Sequence, residues 1–260
     1  MFYYFNAEMK YYERPTPVIK PFATATDAEL ADMLQAHYDG LIDLHTEEGW
    51  EVGAERTVRL GAMSATGVGE SHVEQDVTMV LMNKGGKTLS DGTTECAFIV
   101  GQKNMLADNG TREGGYMNST NTNTGGWKNS ARRTWCNSVY YNAIPSGFKA
   151  LLKEFTNQSG LGGGSSSGVE DTLDYCALPA EVEVFGSQTY SVAGEGTQFK
   201  YYETSANRIK KAGDSGSALL WWERSPFSDD STLFCSVNSD GSANYNGASK
   251  TLGLAPFFVI

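Results

Sequence analysis

Hydrophobic residues near the start of the chain are spaced as on one face of a helix: Leu30, Met33, Leu34, Tyr38 and Leu41. Thr26 and Glu29, just before and within this run, form the pattern of a capping box. The spacing predicts a helix over about residues 27–38, which Gly40 ends.

Alternation replaces helical spacing further along the chain. Hydrophobic and polar residues alternate over 52–60 and again over 73–82, and residues 96–100 form a short apolar run. Gly85 and Gly86 lie between the last two segments and favour a turn. These patterns predict three strands.

The middle of the chain predicts a pair of helices. Ala131, Trp135, Val139 and Tyr140 fall on one helical face, and a second helix is predicted over 148–155, with Pro145 near its start. A glycine- and serine-rich stretch, 160–168, follows and predicts a flexible loop. Two short strands are predicted next, over 175–179 and 182–186.

Two apolar segments near the end of the chain enclose a polar one. Trp221 and Trp222 begin a predicted strand that Pro226 ends, and residues 253–260 are again apolar. Between them, residues 238–249 are small and polar, with a turn signal at Asp240-Gly241. We therefore predict an exposed display loop on a β-rich core, and the whole pattern of helices and short strands indicates the α+β class.

Charge and composition exclude some partners. The formal net charge is −11, so the chain would repel a phosphate backbone, and nucleic acid is not expected as a partner. No apolar segment reaches the roughly 20 residues of a membrane span, and no signal peptide is evident. Folding in a cytoplasm is expected, with the four widely spaced cysteines as free, buried thiols: Cys96, Cys136, Cys176 and Cys235.

Signals for catalysis are weak. Residues 213–216, Gly-Asp-Ser-Gly, resemble the nucleophile loop of trypsin-like serine proteases, but none of the three histidines has the sequence setting of a catalytic base. We predict an ordinary turn there, with a hydrolase using Ser215 or a carboxylate pair as an alternative. The sequence shows no metal-binding or nucleotide-binding motif, so neither a metal nor a cofactor is predicted.

The polar segment near the end supplies a better candidate site. Short hydrogen-bonding side chains with one aromatic ring are the mixture that adaptable binding surfaces use. The predicted ligand-binding residues are Ser236, Asn238, Asp240, Ser242, Asn244, Tyr245, Asn246 and Ser249. Trp221, Trp222, Arg224 and Phe257 are predicted to be scaffold.

Several motifs together resemble those of an uncharacterised domain family of phages and prophages of gut bacteria. They are Gly-Trp-Lys-Asn-Ser at 126–130, Glu-Val-Glu-Val-Phe-Gly at 181–186, Trp-Trp-Glu-Arg-Ser-Pro at 221–226, Phe-Cys-Ser-Val-Asn-Ser-Asp-Gly at 234–241 and Gly-Leu-Ala-Pro-Phe at 253–257. That family in turn resembles C-type-lectin-like domains, including variable receptor-binding proteins. The calcium-site motifs of sugar-binding C-type lectins are absent from this sequence.

The resemblance implies a non-enzymatic virion protein. It implies a C-type-lectin-like domain with a helix pair and short antiparallel strands at 113–260, preceded by a helix and strands at 26–112. Residues 1–25 carry several tyrosines and three prolines, which favour an extended N-terminal arm for attachment or oligomer contacts. The expected partners are other virion proteins, a host cell-surface glycan or protein, and further copies of the chain, with a trimer favoured. The protein would be assembled in the bacterial cytoplasm, and an architectural head-fibre or decoration protein is the alternative.

Overall fold

The structure is a computed structural model that describes residues 3–5, 11–13, 15–69, 71–92, 95–106, 115–165 and 168–260, the first two ranges by their backbone alone.

The N-terminal segment is not one extended arm. Strands β1 (Tyr3–Phe5) and β2 (Tyr11–Glu13) pair antiparallel as a hairpin. The following residues lie against the rest of the protein: the Phe22 ring is fully buried, and the carbonyl oxygen of Lys20 accepts a 2.9 Å hydrogen bond from the indole of Trp50. The second part of the predicted arm is therefore anchored to the core at Phe22, although Val18 remains exposed.

The predicted first helix is confirmed. Helix α1 (Asp27–Tyr38) begins with a complete capping box, in which the Thr26 hydroxyl accepts from the Glu29 amide and the Glu29 carboxylate accepts from the Thr26 amide. Its buried side chains include three of the predicted apolar positions: Leu30, Met33 and Leu34.

A four-stranded antiparallel sheet joins the two predicted parts of the chain. Its order is β13 (Phe257–Val259), β5 (Phe98–Gln102), β4 (Gln75–Lys84) and β3 (Glu55–Leu60). Phe258 faces Val100 across the β13–β5 pair, so the last strand of the chain completes a sheet built mostly from residues before 103. The segments 26–112 and 113–260 therefore share one sheet and one hydrophobic core.

The predicted helix pair is present but shorter. Helix α2 (Ala131–Trp135) continues as one π-helical turn (Cys136–Tyr140) and a last helical turn, α3 (Tyr141–Ala143). The second helix, α4, covers only Ser146–Lys149, and the prediction of helix to 155 is wrong. From Lys153 the chain is extended, because Lys153 bridges to Val259 and Phe155 begins a strand.

The glycine- and serine-rich stretch connects a hairpin of β6 (Phe155–Gly160) and β7 (Val169–Asp174). After it, the predicted strand over 182–186 is wrong, since Glu181–Phe185 form a short helix, α5. The predicted strand over 175–179 is reduced to one bridge, between Ala177 and Phe257. Two 3₁₀ turns, Lys200–Glu203 and Ser205–Arg208, lead to the two-residue strands β8 (Lys210–Lys211) and β9 (Ala218–Leu219).

The predicted terminal strands form a second antiparallel sheet. It consists of β10 (Trp221–Pro226), β11 (Leu233–Val237) and β12 (Ala243–Gly247), in that order. The helices and antiparallel sheets confirm the α+β class. All four cysteines are free and buried, as predicted. Among the described residues, no helix is long and apolar enough to cross a membrane.

Candidate functional site

The predicted display loop is a β-hairpin rather than a loop. Strands β11 and β12 pair in continuous register from Leu233 opposite Gly247 to Val237 opposite Ala243. The predicted turn at Asp240-Gly241 is confirmed, and Gly241 has the positive φ of 84° that favours glycine. The eight predicted ligand-binding residues are therefore spread over two strands, the turn between them and the residues after β12.

The side chains of the predicted ligand-binding residues lie on both faces of the β11–β12 hairpin. Neighbouring side chains of a strand point to opposite sides, so Tyr245 lies on one face of β12 while Asn244 and Asn246 lie on the other. Ser236 is fully buried, and its hydroxyl accepts a 3.0 Å hydrogen bond from the Asn246 amide. The prediction that Ser236 contacts a ligand is therefore wrong, while Ser249, beyond β12, is half-buried.

The polar side chains of the turn bind one another. The Asp240 carboxylate accepts from the amide and the hydroxyl of Ser242 at 3.0 and 2.6 Å, and these hydrogen bonds lower the pKa of Asp240. The Asn238 amide donates to the Ser242 hydroxyl, and its oxygen accepts from Asn244 at 2.7 Å. This network fixes the turn and uses much of the hydrogen-bonding capacity that a ligand would need.

Tyr245 belongs to a surface aromatic cluster that the sequence does not reveal. Its ring lies 4.8 Å from that of Phe227 and 5.0 Å from that of Tyr190, and those two rings are 5.6 Å apart. Tyr245 is 40% exposed, and the other two rings are half-buried. We call Tyr190, Phe227 and Tyr245 the aromatic trio. Only Tyr245 was identified from the sequence.

A buried carboxylate holds one member of the trio in place. Glu181, fully buried at the start of α5, accepts hydrogen bonds of 2.8–3.1 Å from three successive backbone amides: Thr189, Tyr190 and Ser191. The carbonyl oxygen of Tyr190 accepts a 2.9 Å bond from the Ser228 amide, next to Phe227. The trio is therefore built on a backbone that is tied to the protein interior.

An ion network lies within the scaffold of this sheet. Arg224 binds both carboxylate oxygens of Glu183, which also pairs with Lys87 at 2.6 Å, and all three side chains are buried. Burial pushes the pKa of Glu183 upward, but the charges of Arg224 and Lys87 outweigh burial and leave the pKa lowered. Glu183 therefore stays ionised, and its charge is compensated by two cations.

The predicted scaffold residues are all fully buried: Trp221, Trp222, Arg224 and Phe257. Each tryptophan indole finds a backbone acceptor, since Trp221 donates to the carbonyl oxygen of Arg208 and Trp222 to that of Gly115. Burial of these large side chains with satisfied polar groups is what a rigid support requires.

The Gly-Asp-Ser-Gly turn lies in an open groove of about 240 Å³. The Asp214 carboxylate accepts from Thr78 and Asn104, each at 2.9 Å, and the Ser215 side chain is exposed. No histidine lines this groove within the described part of the chain, so the histidine base of a serine-protease triad is not found beside Ser215 there. His72, by contrast, is buried against the Trp135 ring.

Two histidines and one aspartate meet at the end of α1. One ligand atom each from His37, Asp43 and His45 lies within 4.8 Å of the other two. Burial and the neighbouring His45 lower the pKa of His37. This cluster was missed from the sequence because the spacing, His-x₅-Asp-x-His, matches none of the motifs considered.

Comparison with known proteins gives one result. No curated protein and no solved structure matches the chain. A family model described as a domain of unknown function, DUF6273, matches residues 99–260, which is more than half of the chain and includes the aromatic trio. The chain therefore belongs to the DUF6273 family.

Proposed function

We propose that this protein is a non-enzymatic recognition protein of a phage virion, and that it binds a host cell-surface glycan or protein through the aromatic trio. The virion assignment is based on the family resemblance of the motifs at 126–130, 181–186, 221–226, 234–241 and 253–257. The contact between three partly exposed aromatic rings supports the choice of binding surface.

Partly exposed aromatic rings that touch one another form a firm apolar platform. Such rings supply a large contact area with few torsions to immobilise, and the tyrosine hydroxyl groups add hydrogen bonds at the edge. Sugar rings and apolar side chains both present C–H groups that pack on such a platform. The exposed neighbours Gln188, Thr189 and Asp229 supply polar side chains beside the rings.

Pre-organisation strengthens this choice of surface. The amides around Tyr190 are held by Glu181, and the strand carrying Tyr245 is held by pairing with β11. Little conformational freedom remains to be lost on binding, so more of the contact energy can contribute to affinity. The polar turn at Asn238–Ser242 is equally rigid, but its side chains already bind one another, so the trio is the stronger candidate.

The finer fold assignment is part of the same proposal. A C-type-lectin-like arrangement would place an exposed recognition surface on a terminal antiparallel sheet, which is where Tyr245 lies. The absence of the calcium-site motifs predicts binding that does not require calcium. Further copies of the chain, in a trimer, would multiply weak single-site contacts on a cell surface.

The experiment measures binding of the labelled protein to a panel of gut-bacterial strains, with and without a chelator. We expect strain-selective binding that the chelator leaves unchanged and that Tyr245→Ala weakens at least about tenfold, as for an aromatic residue at the centre of an interface. Tyr116→Ala is the matched control, because Tyr116 is 37% exposed but is not a member of the trio. Its binding should equal that of the wild type.

Absence of binding to every strain would reject the receptor-binding proposal and favour the architectural virion role. Equal losses of cell binding in Tyr245→Ala and Tyr116→Ala would show that the aromatic trio is not the binding surface. Thermal unfolding of both variants, compared with the wild type, separates loss of binding from loss of folding.

A further inference from the structure

We propose that His37, Asp43 and His45 form a binding site for a divalent transition-metal ion, with Zn²⁺ the best match to this ligand set. Their ligand atoms lie within 4.8 Å of one another, and two imidazoles with one carboxylate are ligands that zinc commonly binds. The site is separate from the recognition function and does not depend on it.

Local structure brings the three residues together. His37 lies in the last turn of α1, and the chain reverses at Gly40, whose φ is 70° and whose amide donates to the carbonyl oxygen of His37. Asp43 then caps the 3₁₀ turn Leu44–Thr46 by accepting from the His45 amide at 3.0 Å. Asp43 and His45 therefore lie close to His37 at the end of α1.

The hydrogen bond of His45 leaves one ring nitrogen available. Its Nε2 lies 2.7 Å from the carbonyl oxygen of Ala97, which can only accept, so Nε2 carries the proton and Nδ1 keeps a free lone pair. Metal-binding histidines almost always donate the second ring N–H to a carbonyl or carboxylate in this way. The contact fixes the tautomer and the direction of the ring before any ion binds.

The two rings are held by packing. The centroids of His37 and His45 are 4.9 Å apart, and the fully buried Phe98 ring meets His45 edge-on at 5.0 Å. The His37 Nδ1 accepts only a long hydrogen bond, 3.3 Å, from the Leu44 amide. An ion bound to Nδ1 would take the place of this contact.

One pair of ligand atoms already approaches the spacing that zinc requires. Zinc–ligand bonds of about 2.0–2.1 Å in a tetrahedron place the ligand atoms roughly 3.3 Å apart. His37 Nδ1 and Asp43 Oδ1 are already 3.8 Å apart, and the Asp43 side chain is 59% exposed and can adjust. Three protein ligands leave the fourth position for water on the solvent side.

Charged groups near the site have opposite effects on the binding of a cation. Lys84 donates to the backbone carbonyl of His45, so one cation lies on the backbone side of the site. The Asp43 carboxylate offsets this charge directly, and the net charge of −11 favours cations near the protein as a whole.

The test is a titration of the full chain, prepared without a histidine tag, with Zn²⁺ in the presence of a competing chelator. We expect one ion per chain and a rise in Tm on adding zinc. Asp43→Asn and His45→Gln should each weaken binding at least about tenfold. Asn retains an acceptor for the helical cap, so Asp43→Asn should fold as the wild type does.

Asp39→Asn is the matched control, since it removes a neighbouring carboxylate that is not one of the three ligands; its affinity should equal that of the wild type. Absence of saturable zinc binding by the wild type would overturn the proposal. Binding that persists unchanged in both Asp43→Asn and His45→Gln would place the ion elsewhere and also overturn it.

Discussion

At the scale of single residues, Glu223 is the least satisfied group in the scaffold beneath the proposed recognition surface. It is fully buried on β10, and neither carboxyl oxygen has a hydrogen-bond partner within the described residues. Burial, reinforced by the negative charges of Glu181 and Glu195, raises its pKa well above the usual value. Glu223 therefore keeps its proton in the folded protein at pH values where it would ionise in the unfolded chain.

The raised pKa of Glu223 predicts that stability falls as pH rises. The folded state retains a proton on Glu223 that the unfolded chain loses above about pH 4.3. The contribution of Glu223 to the free energy of unfolding is therefore full below that pH and is lost as pH rises through the pKa of the folded state. Glu223→Gln, which mimics the protonated form, should unfold at a higher urea concentration than the wild type at pH 8 and show a flatter dependence between pH 5 and 8. Urea unfolding at pH 5, 6.5 and 8 measures both.

Glu203→Gln is the control for this experiment, because Glu203 is an exposed carboxylate paired with Lys200 on the surface. It should keep the wild-type dependence on pH. Part of the slope should remain in Glu223→Gln, because burial also raises the pKa of Glu195. An unchanged slope in Glu223→Gln would contradict the account of this residue.

At the scale of elements, the sequence predicted what local chemistry determines. Helix α1 was predicted to the residue because its capping box and apolar face act within four residues of one another. The strand Trp221–Pro226 was also recognised from its own residues. These segments would favour the same conformation in many surroundings.

Elements decided by tertiary contacts were mispredicted. Glu181–Phe185 alternates like a strand but is helical, because residues 181–184 are buried on every side and both glutamates find partners inside the protein. Leu151 and Leu152 are buried, yet the chain there leaves the predicted helix to pair with the last strand. Propensity is a weak guide where packing supplies most of the free energy.

The same distinction applies to the candidate sites. Tyr245 and the Asp240-Gly241 turn were found because both lie in one recognisable polar segment. Tyr190 and Phe227 join Tyr245 only through pairing between distant segments, and the faces of β12 could not be assigned before its register with β11 was known.

Residues 15–25, which pack against the core, should contribute to the free energy of unfolding. Two truncated proteins, lacking residues 1–14 and residues 1–25, differ only in the segment 15–25. Deleting residues 1–25 should lower the free energy of unfolding by at least about 3 kcal/mol, because it removes the fully buried Phe22 ring and the acceptor for Trp50. Urea unfolding of the two truncated proteins measures the difference, and equal stabilities would show that residues 15–25 are not part of the core.

At the scale of the whole molecule, the two proposed sites lie in different parts of the chain. The aromatic trio falls inside the segment that matches the family, 99–260, and the histidine–aspartate cluster lies before it. The four-stranded sheet joins these parts, since β3 and β4 precede the family segment while β13 ends it. Recognition and metal binding can therefore be tested independently on one folded unit.

Hydrogen–deuterium exchange tests the central claim most directly. The protein is compared free and bound to cell envelopes of the strain that it binds best, peptide by peptide. Recognition through the aromatic trio predicts slower exchange around Tyr190, Phe227 and the strand Ala243–Gly247, with exchange in the Asp214 groove and in the segment around Tyr116 unchanged. Protection confined to those other regions, or no protection at all, would contradict recognition through the aromatic trio.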